Sequence, residues 1–547
     1  MMIPLESMMP TTDRSALPPG HVPSPEELPG LVERIRAAGK RRGPLAIAAV
    51  ATMGSFLFGY DTGVIAGALS YMHLPLAAGG LELSSAEEGV VTSLLAFGAA
   101  FGALIGGQIN DRIGRRKAIM LLAIIFLVGT IGCALAPNVV VISPFRFILG
   151  WAVGGASSTV PLYLAESAPK RIRGPVVAID QFMIVFGQFI AYSMNAAISR
   201  MVRAPEATVQ SDPTGQFEPG ETVSWDALQQ IEGLVVADGN GHAWRWMLIL
   251  ATLPALVLWI GMRVMPESPR WYAANQRYYD VIASLKQLRD PSKDGAVTDE
   301  VAEMIDLERQ QEKQEEWSLR RGFAKKWTRR LIWIGIGLGI FDQLTGINTA
   351  MWYMPTILSA AGFSTADALL LNVLTGFVSA VGSLLGLWLV AKFMRRHVGM
   401  AQEFGIAVSL FLLAALFHFG IEPHMSADGS VGDAVPLLIP WLILAVVSLF
   451  IFIKQAGTVT WVLLAEIFPA KIRGASQGIS VGALWFFNGI VALVFPVMMT
   501  SLGGSKTYLI FALINVVAFL FYWKVVPETK DVSLEEFEEG YRTRYGD

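Results

Sequence analysis

Twelve stretches of this chain are each long and apolar enough to cross a lipid bilayer, which takes about 20 mostly apolar residues in helical form. By hydropathy they run over 44–71, 89–109, 118–136, 141–164, 175–198, 244–264, 330–357, 367–390, 399–419, 437–464, 476–500 and 506–526. In lipid every backbone polar group must be bonded internally, so such segments are helices. The sequence therefore predicts an all-α polytopic membrane protein with twelve transmembrane helices. Composition agrees, since only 16% of the 547 residues are charged, against about a quarter in soluble proteins.

Charge sets the expected orientation. The loops at 40–42, 112–117, 170–173, 392–396 and 471–473 are rich in Lys and Arg, whereas 72–88, 358–366 and 420–436 have none. The positive-inside bias then places both termini in the cytoplasm, with the chain as a multi-pass protein of the plasma (inner) membrane. Residues 1–43 have no apolar core of signal-peptide length and read as a disordered cytoplasmic tail. The lone cysteine, Cys133, lies in an apolar run, and the six histidines are scattered. Neither a metal nor another cofactor is expected. The net charge of −3 points to no macromolecular partner, and nucleic acid is not expected. Lipid surrounds the chain, which is read as a monomer.

The spans divide six and six around a charged stretch. Residues 44–265 form a first half with an outward insertion at 199–243, whose Gly, Pro and acidic residues predict irregular structure. Residues 266–329 read as a cytoplasmic linker of amphipathic helices, 330–527 as the second half and 528–547 as a cytoplasmic tail. The halves repeat: LAESAPKRIRG at 164–174 returns as LLAEIFPAKIRG at 463–474, so Glu166 and Arg173 recur 300 residues later as Glu466 and Arg473. PESPR at 266–270 is echoed by PETK at 527–530. Parallel six-helix repeats of this kind hold a solute between the halves near the midplane.

These motifs, with FGYDTGVIAGAL at 58–69, DRIGRR at 111–116 and GIN at 346–348, occur in the order seen in one family. The chain resembles the sugar porters of the major facilitator superfamily, which include bacterial proton-linked xylose, galactose and inositol permeases and facilitative glucose transporters. The resemblance covers about residues 45–535 and implies the major facilitator fold. One departure is AKFMRR at 391–396, the second-half counterpart of DRIGRR, where Ala391 replaces the acid. The latch on that side is expected to be weaker, or rebuilt.

A charge at membrane depth needs a reason, because it costs about 2.5–3.5 kcal/mol even on lenient scales. Asp61 and Arg146 come out at depths of roughly 15 and 10 Å in the first and fourth spans, so they can meet. An Arg partner favours the ionised carboxylate and burial favours the neutral acid, so a changing contact can load and release a proton. The resemblance implies the same role, since proton-linked members have Asp at this place. Asp342 and Lys454 both fall near a depth of about 18 Å and can pair as well. Three readings stay open for them: a buried ion pair, contact with an acidic or otherwise unusual solute, or an added proton site. Asp180 lies near the cytoplasmic end of the fifth span, where an acid stays hydrated in a structural role.

Carried over by motif, the solute-binding candidates are Gln181, Gln188, Asp342, Gln343, Asn348, Asn372, Trp461, Trp485 and Asn488, with Lys454 added by depth. Amides and aromatic faces suit a solute with hydroxyls on an apolar ring. Leu484 and GTV at 457–459 depart from the family pattern, so xylose is not assumed. Asp111, Arg112, Arg115, Arg116, Glu166, Arg173, Glu267 and Arg270 form a cytoplasmic gate with Arg395, Arg396, Glu466 and Arg473, and ion pairs across the halves would close it. The expected function is proton-coupled symport of a monosaccharide or cyclic polyol by alternating access. The alternatives are a proton-linked carrier of a sugar acid or related carboxylate, an uncoupled facilitator and a solute sensor. No convergent nucleophile, base and oxyanion set suggests an enzyme.

Overall fold

The computed structural model describes residues 21–313, 319–425, 435–457, 459–469, 472–530, 532 and 534–546. The reading of residues 1–20 as part of the 1–43 tail, and that of Lys471 as a loop cation, lie outside the described residues. Spans 1 to 6 are Pro44–Met72, Ser85–Ile113, Arg115–Leu135, Val139–Ser167, Lys170–Val202 and Ala243–Arg263. Spans 7 to 10 are Lys326–Ala360, Thr365–Lys392, Arg395–His424 and Leu438–Glu466. The last stretch, Arg473–Lys524, has 52 residues and breaks at Gly503, whose φ of +79° no helix interior adopts. At 1.5 Å per residue that is more than twice the hydrocarbon thickness, so it holds spans 11 and 12.

Membrane helices lack a hydrophobic drive to associate and instead pack through small residues that let backbones approach. A Cβ on Gly59 of span 1 would lie 1.7 Å from the Ile184 carbonyl oxygen of span 5, and one on Gly154 of span 4 would lie 2.0 Å from that of Ala99 in span 2. Side chains at these two positions would drive the helices apart. The halves meet in the same way: a Cβ on Gly89 of span 2 would lie 2.4 Å from the Leu493 carbonyl oxygen of span 11.

The insertion at 199–243 is not irregular. It forms a three-stranded antiparallel sheet of β1 (Glu206–Ser211), β2 (Thr222–Ser224) and β3 (Val235–Gly239), in the order β2-β1-β3. Ala207 pairs with Val223 on one side and Gly239 on the other. Ala207, Val209 and Val236 turn inward onto Leu74 and Ala78, just past span 1, so the sheet covers that end of the bundle. The strands are too short for hydropathy to register against the surrounding Gly, Pro and acids.

The opposite end carries the linker and both ends of the chain. Helices Pro269–Ala274, Tyr278–Leu288, Val297–Lys313 and Leu319–Ala324 make up the linker. The 1–43 tail is partly built: helix Leu28–Arg34 buries Leu28, with Ile35, against Tyr278, Ile282, Leu285 and Val301. Arg289 ties the linker to span 4 by donating to the Ser167 carbonyl at 2.7 Å, and pairs with Glu300 at 2.8 Å. Helix Leu534–Tyr545 folds back so that Tyr541 joins Trp327 and Val526.

Candidate functional site

In the first half, spans 1 and 4 bring Asp61 and Arg146 together inside the bundle. Arg146 is fully buried and Asp61 is 2% exposed. Arg146 Nη1 donates to Asp61 Oδ1 at 3.2 Å and Oδ2 at 3.4 Å, and Nε donates to the Val91 carbonyl at 3.2 Å. Arg146 Nη2 has no hydrogen-bond partner among the described residues. The close packing at Gly59 also seats span 5 so that Gln188 Nε2 donates to the Thr62 hydroxyl at 3.1 Å, one residue beyond Asp61.

In the second half the site is built on two helix breaks. Span 7 stops at Leu344 and restarts at Ile347 across Gly346, which takes a φ of +82° that suits glycine. Asp342 and Gln343 end the first piece and Asn348 begins the second. Asn348 Nδ2 donates to Gln343 Oε1 at 2.5 Å, and Gln343 Nε2 donates to Asp342 Oδ2 at 2.9 Å. Lys454 Nζ donates to Asp342 Oδ1 at 2.6 Å, with both side chains 9% exposed. Span 10 then breaks after Lys454, its helices running Leu438–Ala456 and Thr460–Glu466. A buried charge is tolerated when paired and hydrogen-bonded, and this string of donors and acceptors does that.

The remaining solute candidates are more dispersed. Trp485 is buried and its ring centroid lies 5.3 Å from that of Phe58, a contact between span 11 and span 1. Asn488 is buried with Oδ1 unbonded among the described residues, and Asn372 accepts from the Thr375 hydroxyl of its own span at 2.8 Å. Gln181 and Trp461 are half-buried. Among the described residues none of these five reaches the Asp342 string by a direct hydrogen bond.

Asp180 is not hydrated. It is 1% exposed and accepts from the Ser55 hydroxyl at 2.5 Å, joining spans 5 and 1. Two further buried acids escaped the sequence reading. Glu403 of span 9 is 1% exposed and lies within electrostatic reach of Lys454 and Asp342. Glu88 of span 2 is 3% exposed and faces His73 at 3.5 Å.

At the linker end the gate candidates form two latches rather than one bridge between the halves. Arg115 pairs with Glu166 at 3.0 Å and with Asp111 at 3.2 Å. The N–H of Arg116 donates to Glu267 Oε1 at 2.9 Å, and its guanidinium caps the Met262 and Arg263 carbonyls. The second half repeats this: Arg395 pairs with Glu466 at 3.5 Å, and the N–H groups of Arg395 and Arg396 donate to Glu528 at 2.9 and 3.0 Å. The Arg396 guanidinium caps the Tyr522 and Trp523 carbonyls. Ala391 removes one carboxylate while the backbone clasp on Glu528 stays, so the latch is rebuilt rather than lost. Burial pushes the Glu267 carboxyl up, against the N–H groups of Arg116 and Ser268. Arg112 and Arg270 are exposed; Arg173 is half-buried beside Arg270 and Arg289, and Arg473 donates to the Phe468 carbonyl. Among the described residues, the ion pairs of these gate candidates each stay within one half.

Residues 47–218 and 222–541 match the family described as "Sugar (and other) transporter". The major myo-inositol transporter IolT of Bacillus subtilis is 39% identical over 495 residues, 90% of this chain and 93% of its own. The galactose-proton symporter of Escherichia coli K12 is 33% identical over 491 residues, 89% of this chain and 92% of its own. Among solved structures, the inward-open conformation of the xylose transporter XylE from Escherichia coli superposes with a TM-score of 0.68 at 27% identity, covering 91% of this chain and 99% of that one.

Proposed function

The chain belongs to the sugar (and other) transporter family, so it is a membrane transporter and not an enzyme, and on that premise we propose that it moves a monosaccharide or cyclic polyol together with a proton. The observation that carries the coupling is the buried Asp61–Arg146 pair. Its guanidinium holds the carboxylate through one nitrogen, while Nη2 has no described partner. An arginine contact favours the ionised carboxylate, and burial without it favours the acid. A conformational change that lengthens the contact therefore binds a proton, and one that restores it releases the proton. The galactose-proton symporter among the relatives supports this reading.

The solute lies between the halves, against the Asn348–Gln343–Asp342 string and Gln188, with Trp485 as an apolar platform. Those groups donate and accept together, as hydroxyls require. The inositol transporter among the relatives favours a polyol. Lys454 gave reason to consider a sugar acid, but its ammonium is already held by Asp342 at 2.6 Å, which favours a neutral solute. The charge bias of the loops supports a plasma-membrane protein with the linker end and both termini in the cytoplasm, and on that reading the two latches serve as the inner gate.

Reconstituted protein offered myo-inositol, galactose and glucose tests the coupling. Asp61→Asn is expected to abolish uphill uptake driven by an inward proton gradient while retaining counterflow. Continued accumulation by Asp61→Asn would sink the proposal.

A further inference from the structure

Span 9 delivers a second carboxylate to a place where, among the described residues, Lys454 is the one cation facing it. Glu403 Oε1 accepts from its neighbour Gln402 Nε2 at 3.2 Å, and Oε2, buried, has no hydrogen-bond partner among the described residues. The titratable groups facing it are Lys454 from span 10, Asp342 from span 7 and Tyr522 from span 12. Span 8, which also touches span 9, presents it no titratable group among the described residues. The Tyr522 hydroxyl is 3.3 Å from that of Thr460, and Lys454 is already bonded to Asp342.

Two ionised carboxylates around one ammonium leave an uncompensated negative charge inside the bundle. Like charges sharing a site resolve this by keeping one proton. Asp342 has the ammonium and the Gln343 amide, so the proton belongs on the carboxyl that has neither. We propose that Glu403 is a proton-binding site of the second half, separate from Asp61, which holds its proton while Lys454 is bonded to Asp342. When solute hydroxyls engage Asp342, the ammonium turns to Glu403, the Glu403 O–H bond breaks, and the Asp342 carboxylate takes up the proton, so the site keeps one ammonium, one carboxylate and one carboxylic acid. The ammonium stays protonated throughout, so charge and protons balance.

The location explains how such an event reaches the backbone. Gln402 lies against the break in span 10: a Cβ on Gly457 would sit 2.3 Å from Gln402 Oε1. Intramembrane acids of this kind form proton relays in transporters. The coupling step rests on the transporter reading above, whereas the proton on Glu403 does not.

Infrared spectroscopy of the purified full chain in lipid nanodiscs at neutral pH reads protonated carboxyl groups without any solute. In an Asp61→Asn background, Glu403→Gln is expected to lose a protonated-carboxyl band. Asp342→Asn is expected to lose it too, because the freed Lys454 then pairs with an ionised Glu403. A spectrum unchanged by Glu403→Gln would overturn the site, and a band that survives Asp342→Asn would overturn the exchange of Lys454. Thermal melts give a second reading: Gln has the shape of a neutral Glu, so Glu403→Gln should melt like the parent. A drop as large as that of Lys454→Met would mean that Glu403 is ionised. Neither measurement depends on uptake, so failure of the Asp61 coupling is a separate result.

Discussion

Asp226, in the insertion between spans 5 and 6, holds the start of span 8 in the other half: its carboxylate accepts from the Thr365 N–H at 2.9 Å and the Thr365 hydroxyl at 2.5 Å. Negative charge at a helix N-terminus is favourable, and hydrogen bonds to a charged group contribute about 1.5–3 kcal/mol. Tyr192 of span 5 adds a second link across the halves by donating to the Met351 carbonyl at 2.7 Å. Both links lie toward the sheet end, while the gate pairs of the linker end stay within their halves. Asp226→Ala should therefore shift the population by about tenfold or more toward a state open at the sheet end. Spin labels on Cys placed at Glu82 and Ala366, both exposed, would report longer distances. An unchanged distance distribution would show that the contact does not bias the equilibrium.

The Asp342–Lys454 pair makes an asymmetric prediction. Lys454→Met leaves Asp342 buried without its cation, a loss of about 3–5 kcal/mol, whereas replacing both members of a buried pair by neutral groups costs much less. The double variant Asp342→Asn with Lys454→Met should recover most of the stability lost by Lys454→Met alone, in thermal or denaturant melts. A double variant no more stable than Lys454→Met would refute mutual compensation.

What was legible in the chain followed from the bilayer. Hydropathy marks the spans, and rise per residue puts Asp61 within reach of Arg146 and Asp342 level with Lys454; the two pairs stand at 3.2 and 2.6 Å. Glu403 and Glu88 were missed because each lies within a turn or two of a helix end, where hydropathy tolerates charge. Their burial comes from helices distant in sequence. Glu528, the acid of the second latch, escaped for another reason. DRIGRR reads as a side-chain motif, yet Glu528 is held by the backbone N–H groups of Arg395 and Arg396, which any non-proline residue at those positions supplies. The sheet in the insertion is set by pairing over only a few residues, and Asp180 is buried by the packing of spans 1 and 5, where it accepts from the Ser55 hydroxyl.

The two latches predict equal sensitivity in spite of unequal sequences. Glu267 accepts the N–H groups of Arg116, at the start of span 3, and of Ser268, and Glu528 accepts those of Arg395 and Arg396, at the start of span 9, so truncating either frees two or more donors. Glu267→Ala and Glu528→Ala should each cost about 1–3 kcal/mol. Asp111→Ala should cost less than 1 kcal/mol, because the Asp111 side chain is mostly exposed and its pair with Arg115 is screened. Unfolding of the three variants in the same detergent checks the order, and a Glu528→Ala variant as stable as wild type would refute the equivalence.

His73, just past span 1, and Glu88, at the start of span 2, clasp the sheet end at 3.5 Å, with His73 Nδ1 2.9 Å from the Leu83 carbonyl oxygen. Burial disfavours the imidazolium, but the Glu88 carboxylate and the Leu83 carbonyl favour it, and the balance raises the His73 pKa above its ordinary value. A pKa raised on folding contributes stability in full below the unfolded value of about 6.5, and that contribution is lost as pH rises through the folded value. Melting temperature should therefore fall as pH is raised above about 6.5, and His73→Gln should remove that part of the slope. Hydrogen exchange over 72–90 should quicken in the wild type at the alkaline end, beyond the intrinsic effect of pH, because this segment holds both partners. Identical pH dependence in wild type and His73→Gln would show that the imidazole carries no charge in the clasp.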